Sequence, residues 1–164
     1  MGTALVSIAA QTLAPRDVVV VDDGSRDRTA DIVAAADLPG LTLVRQENQG
    51  AHAALNRAIR IAGGRWIAIL NSDDAFDPER LEHALAVASE ENAALLIGRV
   101  RLIDAEDASL PDDHPVATWY AQALAEVARA RSLAEGVREH NAAVTTSNFF
   151  VRRELWAALG GFRA

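Results

Sequence analysis

Short unbroken apolar runs alternate along this chain with longer stretches in which apolar residues recur every three or four positions. The clearest runs are Asp17-Val18-Val19-Val20-Val21 and Trp66-Ile67-Ala68-Ile69-Leu70. Lacking polar alternation, they predict strands covered on both faces, as in a parallel sheet between helix layers. Leu41 to Val44 predicts a third strand. Residues 94–103 predict a fourth, apolar first and then alternating (Val100 and Leu102 against Arg99 and Arg101), which suits a sheet edge. Ala143 to Val151 predicts the last.

Helical spacing covers the rest. It predicts helices over residues 3–13 (Leu5, Ile8 and Ala9 on one side), Thr29 to Ala36, and Ala51 to Ala62. After Pro78, which a first helical turn tolerates, Leu81, Leu85 and Ala88 form an apolar stripe. One long helix is predicted from Val116 to about Arg138, and a short one from Arg153 to Leu159. Ala14-Pro15, Pro39-Gly40, Gly63-Gly64 and Gly160-Gly161 supply the stops. Residues 104–114, acidic and carrying Pro111, predict an exposed loop.

This order of helices and strands predicts an α/β fold with parallel pairing in its first half. The opening helix has an apolar stripe that implies a strand before it, and the chain stops soon after Gly161-Phe162 without a cap. The expectation is therefore one partial domain over residues 1–164 that lacks segments at both ends.

Composition narrows the function. The chain has 164 residues, enough for one domain with a real core. Half of the residues are hydrophobic, yet no run approaches the ~18–20 apolar residues of a membrane helix. No signal peptide is legible. Without cysteine there is neither disulfide nor thiol chemistry. The formal charge is −7 and every fixed cation is an arginine, so no basic stripe invites nucleic acid.

Two acidic tips follow the two clearest strands: Asp22-Asp23-Gly24-Ser25 and Asn71-Ser72-Asp73-Asp74. In an open parallel sheet, ligands bind just past the carboxyl ends of the strands, so strands of one sheet would bring both tips to one edge. Carboxylates there suit Mg²⁺ or Mn²⁺, hard cations bound through one or two carboxylates plus substrate phosphates. A divalent metal carrying a phosphorylated ligand is the economical reading. The plainer one is that aspartate after a strand is a helix cap or turn former. The Asp-Gly pair itself makes a tight turn that lets backbone approach a ligand.

Five segments in order carry a resemblance: Val18 to Ser25, Asn48-Gln49-Gly50, Ala54-Leu55-Asn56-Arg57, Ile69 to Asp74 with Pro78, and Thr146-Ser147-Asn148 through Gly160-Gly161-Phe162. Together they resemble family 2 glycosyltransferases of the GT-A fold, over nearly the whole chain. The resemblance implies a Rossmann-like, mostly parallel sheet sandwiched by helices, with the family's first strand missing. It implies a donor-binding half over about 1–104 and an acceptor-side segment over about 105–164.

The implied activity is metal-dependent transfer of a sugar from a nucleoside-diphosphate donor to a hydroxyl acceptor (glycan, lipid or protein), inverting in the full-length protein. The implied setting is cell-envelope polysaccharide synthesis, at a cytoplasmic or membrane-peripheral location. Asp22 and Asp23 would contact base and ribose, with Gly24 and Ser25 shaping the turn. The family's Asp-X-Asp motif falls on Asn71-Ser72-Asp73, so Asp73 would be the metal ligand for Mn²⁺ or Mg²⁺ and Asp74 would support it. Asn71 keeps an acceptor oxygen where the family has a charge. Asn56 and Arg57 match the helix facing the donor, where an arginine helps neutralise a diphosphate; a solvated surface role for Arg57 is the alternative. Thr146, Ser147 and Asn148 would lie on the acceptor side, or form an ordinary strand with its leading loop.

The family's general base, an aspartate after the Gly-Gly-Phe segment, is expected beyond Ala164. The gap left by the missing strand is expected to expose strand edges and to favour self-association. A competing reading is a nucleotide-sugar-binding module without chemistry. A phosphoacceptor receiver ranks last, because its chemistry relies on a lysine and this chain has none. His52, His83, His114 and His140 show no metal-binding spacing, and Trp66, Trp119, Tyr120 and Trp156 are expected in the core.

Overall fold

The computed structural model describes residues 1–163. They form two compact units: Met1–Leu96 together with Phe149 onward, and Ile97–Asn148. In the first, α1 (Gly2–Ala9) buries Ala4 and Leu5. Strand β1 (Val18–Asp22) pairs in parallel with β2 (Leu41–Arg45), from Val18 opposite Leu41 to Asp22 opposite Arg45. Between them α2 (Thr29–Ala34) covers one face with Val33, which is fully buried. The crossover is the short helical connection that parallel pairing requires.

Helix α3 (Ala51–Ile61) starts after Gly50, whose φ of 89° is open to a residue without a Cβ. Strand β3 (Trp66–Ala68) pairs antiparallel with β5 (Phe149–Arg152), Trp66 opposite Arg152, and β5 lies between β3 and β4 (Leu95–Ile97). Helix α4 (Arg80–Glu90) buries Leu81, Ala84 and Ala88 against Phe150. Trp66 stacks on Phe150 at 4.9 Å, and the Arg152 guanidinium lies 5.2 Å over the Trp66 ring. Helix α7 (Arg153–Ala158) closes the chain.

The expected parallel pairing holds for β1 and β2, but β1 and β3 belong to different sheets. A mostly apolar groove of about 460 Å³ lies between them, lined by Val18–Val21, Trp66–Leu70, and side chains of α1 and α3 such as Leu5 and Ile59. Among the described residues β1 pairs only with β2 and β3 only with β5, so no strand bridges the groove. The two strands nonetheless start side by side. The Gly63 N–H donates to Asp17 Oδ2 at 2.7 Å, and Arg16 Nη1 donates to the Gly63 carbonyl at 3.3 Å. Both strands line this groove, through Val18–Val21 and Trp66–Leu70.

Around the second unit several expectations are corrected. The single helix predicted to Arg138 is two, α5 (Pro115–Arg129) and α6 (Leu133–His140). The break is chemical. Ser132 is extended (φ −150°) and its hydroxyl accepts from the Glu135 N–H, the start signal of a Ser-x-x-Glu capping box. The strand predicted over 94–103 keeps only Leu95–Ile97; beyond it the Gly98 N–H goes to the Asn148 carbonyl and the Val100 N–H to Tyr120 Oη. Likewise the strand predicted from Ala143 begins only at Phe149. Asn141 (φ 46°) and Val144 (φ 57°) take left-handed conformations, and Thr146–Asn148 form a 3₁₀ turn. Residues 104–114 are exposed almost throughout, as expected. Tyr120 is buried, but Trp119 is 42% exposed rather than in the core.

Candidate functional site

The β1 tip is built around two carboxylates with different tasks. Asp22 has a wholly buried side chain: Oδ1 accepts from the Ser25 N–H at 2.8 Å and Oδ2 from Arg45 Nε at 2.9 Å. It thus folds the Asp22–Ser25 turn onto itself and fastens it to the end of β2. The bonds from Ser25, hydroxyl first and N–H second, hold its carboxyl below the ordinary value of 3.8; Arg45 adds to this and burial opposes it. Gly24 has φ +83°, and a Cβ there would sit 3.1 Å from the Asn48 nitrogen. The turn therefore needs glycine.

Asp23 is the anchor of the following loop. Its Oδ1 accepts from Gln46 Nε2 at 2.7 Å and from the Gln49 N–H at 2.9 Å, while Oδ2 accepts from the Gly50 N–H at 2.8 Å. These donors, led by Gln46, hold its carboxyl low as well. An acid beside the Gly50 N–H also faces the positive end of α3. Gln46 lies in the polar run Arg45-Gln46-Glu47-Asn48-Gln49-Gly50, where the sequence alone gives it no role. Its amide reaches in two directions, because Oε1 accepts from Arg57 Nη1 at 3.1 Å. Arg57 is half-buried and held at the loop rather than waving in solvent.

Asn56, its neighbour, serves a different end of the unit. Its Nδ2 donates to the Phe162 carbonyl at 2.8 Å and its Oδ1 accepts from the Phe162 N–H at 2.9 Å. This reciprocal pair ties α3 to the final turn. Gly161 makes it possible: a Cβ there would lie 2.6 Å from Asn56 Oδ1.

Past β3, residues 71–74 form a turn. The Asp74 N–H donates to the Asn71 carbonyl at 3.3 Å, and Asn71 Nδ2 donates to Asp74 Oδ2 at 3.3 Å. Ser72 and Asp73 are exposed at its crest, and Asp74 is half-buried. The loop that follows, up to α4, is braced by Ser7 of α1 and by Gln11 just after it. Ser7 Oγ accepts from the Phe76 N–H at 3.0 Å, Gln11 Nε2 donates to the Asp77 carbonyl at 2.7 Å, and Gln11 Oε1 accepts from the Leu81 N–H at 3.0 Å. Among the described residues no three His, Cys, Asp or Glu side chains gather into a metal cage. The carboxylates of this turn that could hold a metal are exposed Asp73 and, beside it, Asp74.

Thr146, Ser147 and Asn148 belong to the second unit. Ser147 and Asn148 are buried, and Asn148 Nδ2 donates to the Ala143 carbonyl. Of the loop acids, Asp104 accepts the Glu106 and Ala108 N–H groups at 3.0 and 2.9 Å and so shapes its own turn. No helix among the described residues is long and apolar enough to cross a membrane.

Comparison with known proteins bears on this geometry. Residues 1–156 match the profile of glycosyl transferase family 2. The succinoglycan biosynthesis protein ExoO of Rhizobium meliloti is 37% identical over 108 residues, 65% of this chain and 31% of its own length. An Escherichia coli protein, the UDP-Glc:alpha-D-GlcNAc-diphosphoundecaprenol beta-1,3-glucosyltransferase WfgD, is 30% identical over 105 residues, 63% of this chain and 42% of its own. The chain thus spans about a third of the length of the curated relatives it matches. Among solved structures, residues 1–349 of S. aureus TarS in complex with UDP superpose with a TM-score of 0.68 at 22% identity, covering 98% of this chain and 45% of that one. This α/β chain, matched by that profile from Met1 to Trp156, belongs to glycosyl transferase family 2.

Proposed function

We propose that this chain is the donor-binding part of a metal-dependent, inverting transferase that moves a sugar from a nucleoside diphosphate to a hydroxyl acceptor. The observation that carries this reading is the Asn71–Asp74 turn, which follows β3 and presents exposed Asp73 with half-buried Asp74 beside it. The UDP held by the structural relative TarS supports the choice of a nucleoside diphosphate. The name of WfgD supports a sugar hydroxyl on a lipid-linked diphosphate as one class of acceptor.

In this reading Asp73 holds the cation and Asp74 supports it, keeping the Asn71 turn in shape. When bound, Mn²⁺ or Mg²⁺ neutralises the charge that grows on the departing diphosphate. Arg57 contributes a second positive charge from the α3 side. The buried Asp22 keeps the Gly24–Ser25 turn rigid, and the nucleoside rests against that turn and the half-exposed Asp23. Asn56 acts through the fold, by its pair with Phe162. Thr146, Ser147 and Asn148 are assigned to the acceptor side as the frame of that surface, because Ser147 and Asn148 are buried.

Calorimetric titration with UDP, GDP and dTDP, with and without Mn²⁺, tests the proposal. Binding of one nucleotide that requires Mn²⁺ and falls at least tenfold in Asp73→Ala is the expected outcome. Equal affinity of the variant and the wild-type chain would refute it.

A further inference from the structure

The neutral residue between Asp23 and Arg57 is in an unusual position. Gln46 sits one residue past the last β1–β2 pair, and its backbone N–H still donates to the Asp22 carbonyl at 2.9 Å, so its Cα is fixed by the ladder. Its side chain is fixed as well. Asp23, held ionised, only accepts hydrogen bonds, so the amide nitrogen must face Asp23 and the amide oxygen must face outward. That oxygen takes Arg57 Nη1. The contacts close a ring: Asp23 to the Gly50 N–H at the start of α3, along α3 to Arg57, through Gln46, and back to Asp23.

We infer that Gln46 is a positioning residue for the donor site, orienting the Arg57 guanidinium toward the donor's diphosphate while leaving its charge uncompensated. The inference rests on the donor-site reading above. An acid at this position would also reach Arg57, but it would form an ion pair, cancel the charge a diphosphate needs, and repel Asp23. A neutral amide orients without neutralising. The direction of the amide is imposed by Asp23, so the acid at the β1 tip acts on the anion side of the ligand through Gln46. This separates two functions that both carboxylates of the tip would otherwise share: Asp22 shapes the turn, and Asp23 aims Arg57.

The test compares UDP with uridine, which lacks the diphosphate, by calorimetry in Mn²⁺. Gln46→Leu frees Arg57, and Gln46→Glu pairs with it. Both variants are expected to lose about tenfold in UDP affinity, the scale of one hydrogen bond to a charged group, with uridine affinity unchanged. Gln46→Leu combined with Arg57→Ala is expected to bind no more weakly than Arg57→Ala alone, since the amide acts only through the guanidinium. Two variants of opposite character guard against misfolding, which thermal melts of each would reveal. If the wild-type chain binds UDP through Asp73 but both Gln46 variants bind UDP normally, or lose uridine equally, the relay is overturned alone. If the wild-type chain binds no nucleotide, the donor-site reading and the relay fall together.

Discussion

At the β1 tip each carboxylate oxygen of Asp22 and Asp23 has a donor within 3 Å. These bonds favour the ionised groups, and they hold the carboxyls of Asp22 and Asp23 low. The consequence for stability has a definite sign. A carboxyl that is more acidic in the folded chain leaves the unfolded chain binding more protons below the ordinary value, so stability rises with pH there. The contribution is complete above an unfolded value near 3.8 and is lost as pH falls through the lower folded values. Urea unfolding at pH 7, 5, 4 and 3 should therefore show little change down to pH 5 and a steep loss below 4. Asp22→Asn should lower stability at pH 7 and flatten that acid limb. An unchanged acid limb in the variant would show that Asp22 is not the group responsible.

Between α5 and α6 the deciding position is Gly136, in the middle of α6. A Cβ there would meet Val127 Cα at 2.8 Å and the Ala130 Cβ at 3.1 Å. Two effects compete in Gly136→Ala. Alanine favours helix by about 1 kcal/mol over glycine, whereas forcing a backbone neighbour aside costs roughly 1–3 kcal/mol. Because the obstruction is backbone rather than a flexible side-chain end, the second effect wins. The expected outcome is net destabilisation of roughly 1 kcal/mol, measurable as a lowered urea midpoint. A raised midpoint would mean that the two helices separate freely. Ser132→Ala should act in the same direction by about 1 kcal/mol, through loss of the cap that starts α6.

The whole molecule is marked by the groove between the β1–β2 pair and the β3–β5–β4 sheet. It presents apolar side chains and two strand edges that no described residue pairs, the arrangement that invites edge pairing with another chain. The net charge of −7 opposes that approach, but screening at about 0.15 M salt limits repulsion to roughly 8 Å. Sedimentation velocity across a range of protein and salt concentrations should show self-association that grows with both. A monodisperse monomer at all concentrations, melting cooperatively and binding no apolar dye, would count against it.

Much of this protein is determined by sequence alone, because the deciding interactions are local. Four consecutive valines before Asp22, and the apolar run from Trp66 that becomes β3, favour strands locally, and an acid followed by Gly24 favours a turn. Order and spacing of these segments were likewise enough for the fold class and family. The Ser132-x-x-Glu135 pattern that starts α6 is local too, but the apolar period running across it from Val116 predicts a single helix. What only the tertiary structure decided are pairings between residues distant in the chain. Asn56 pairs with Phe162, and β3 joins β5, 82 positions on from Ala68 at Phe150, instead of β1. Gln46 becomes the link between Asp23 and Arg57. No spacing rule reports which of many possible polar partners a buried carboxylate takes; that is settled when the packed strands bring their ends together and a buried carboxylate takes the donors they place beside it.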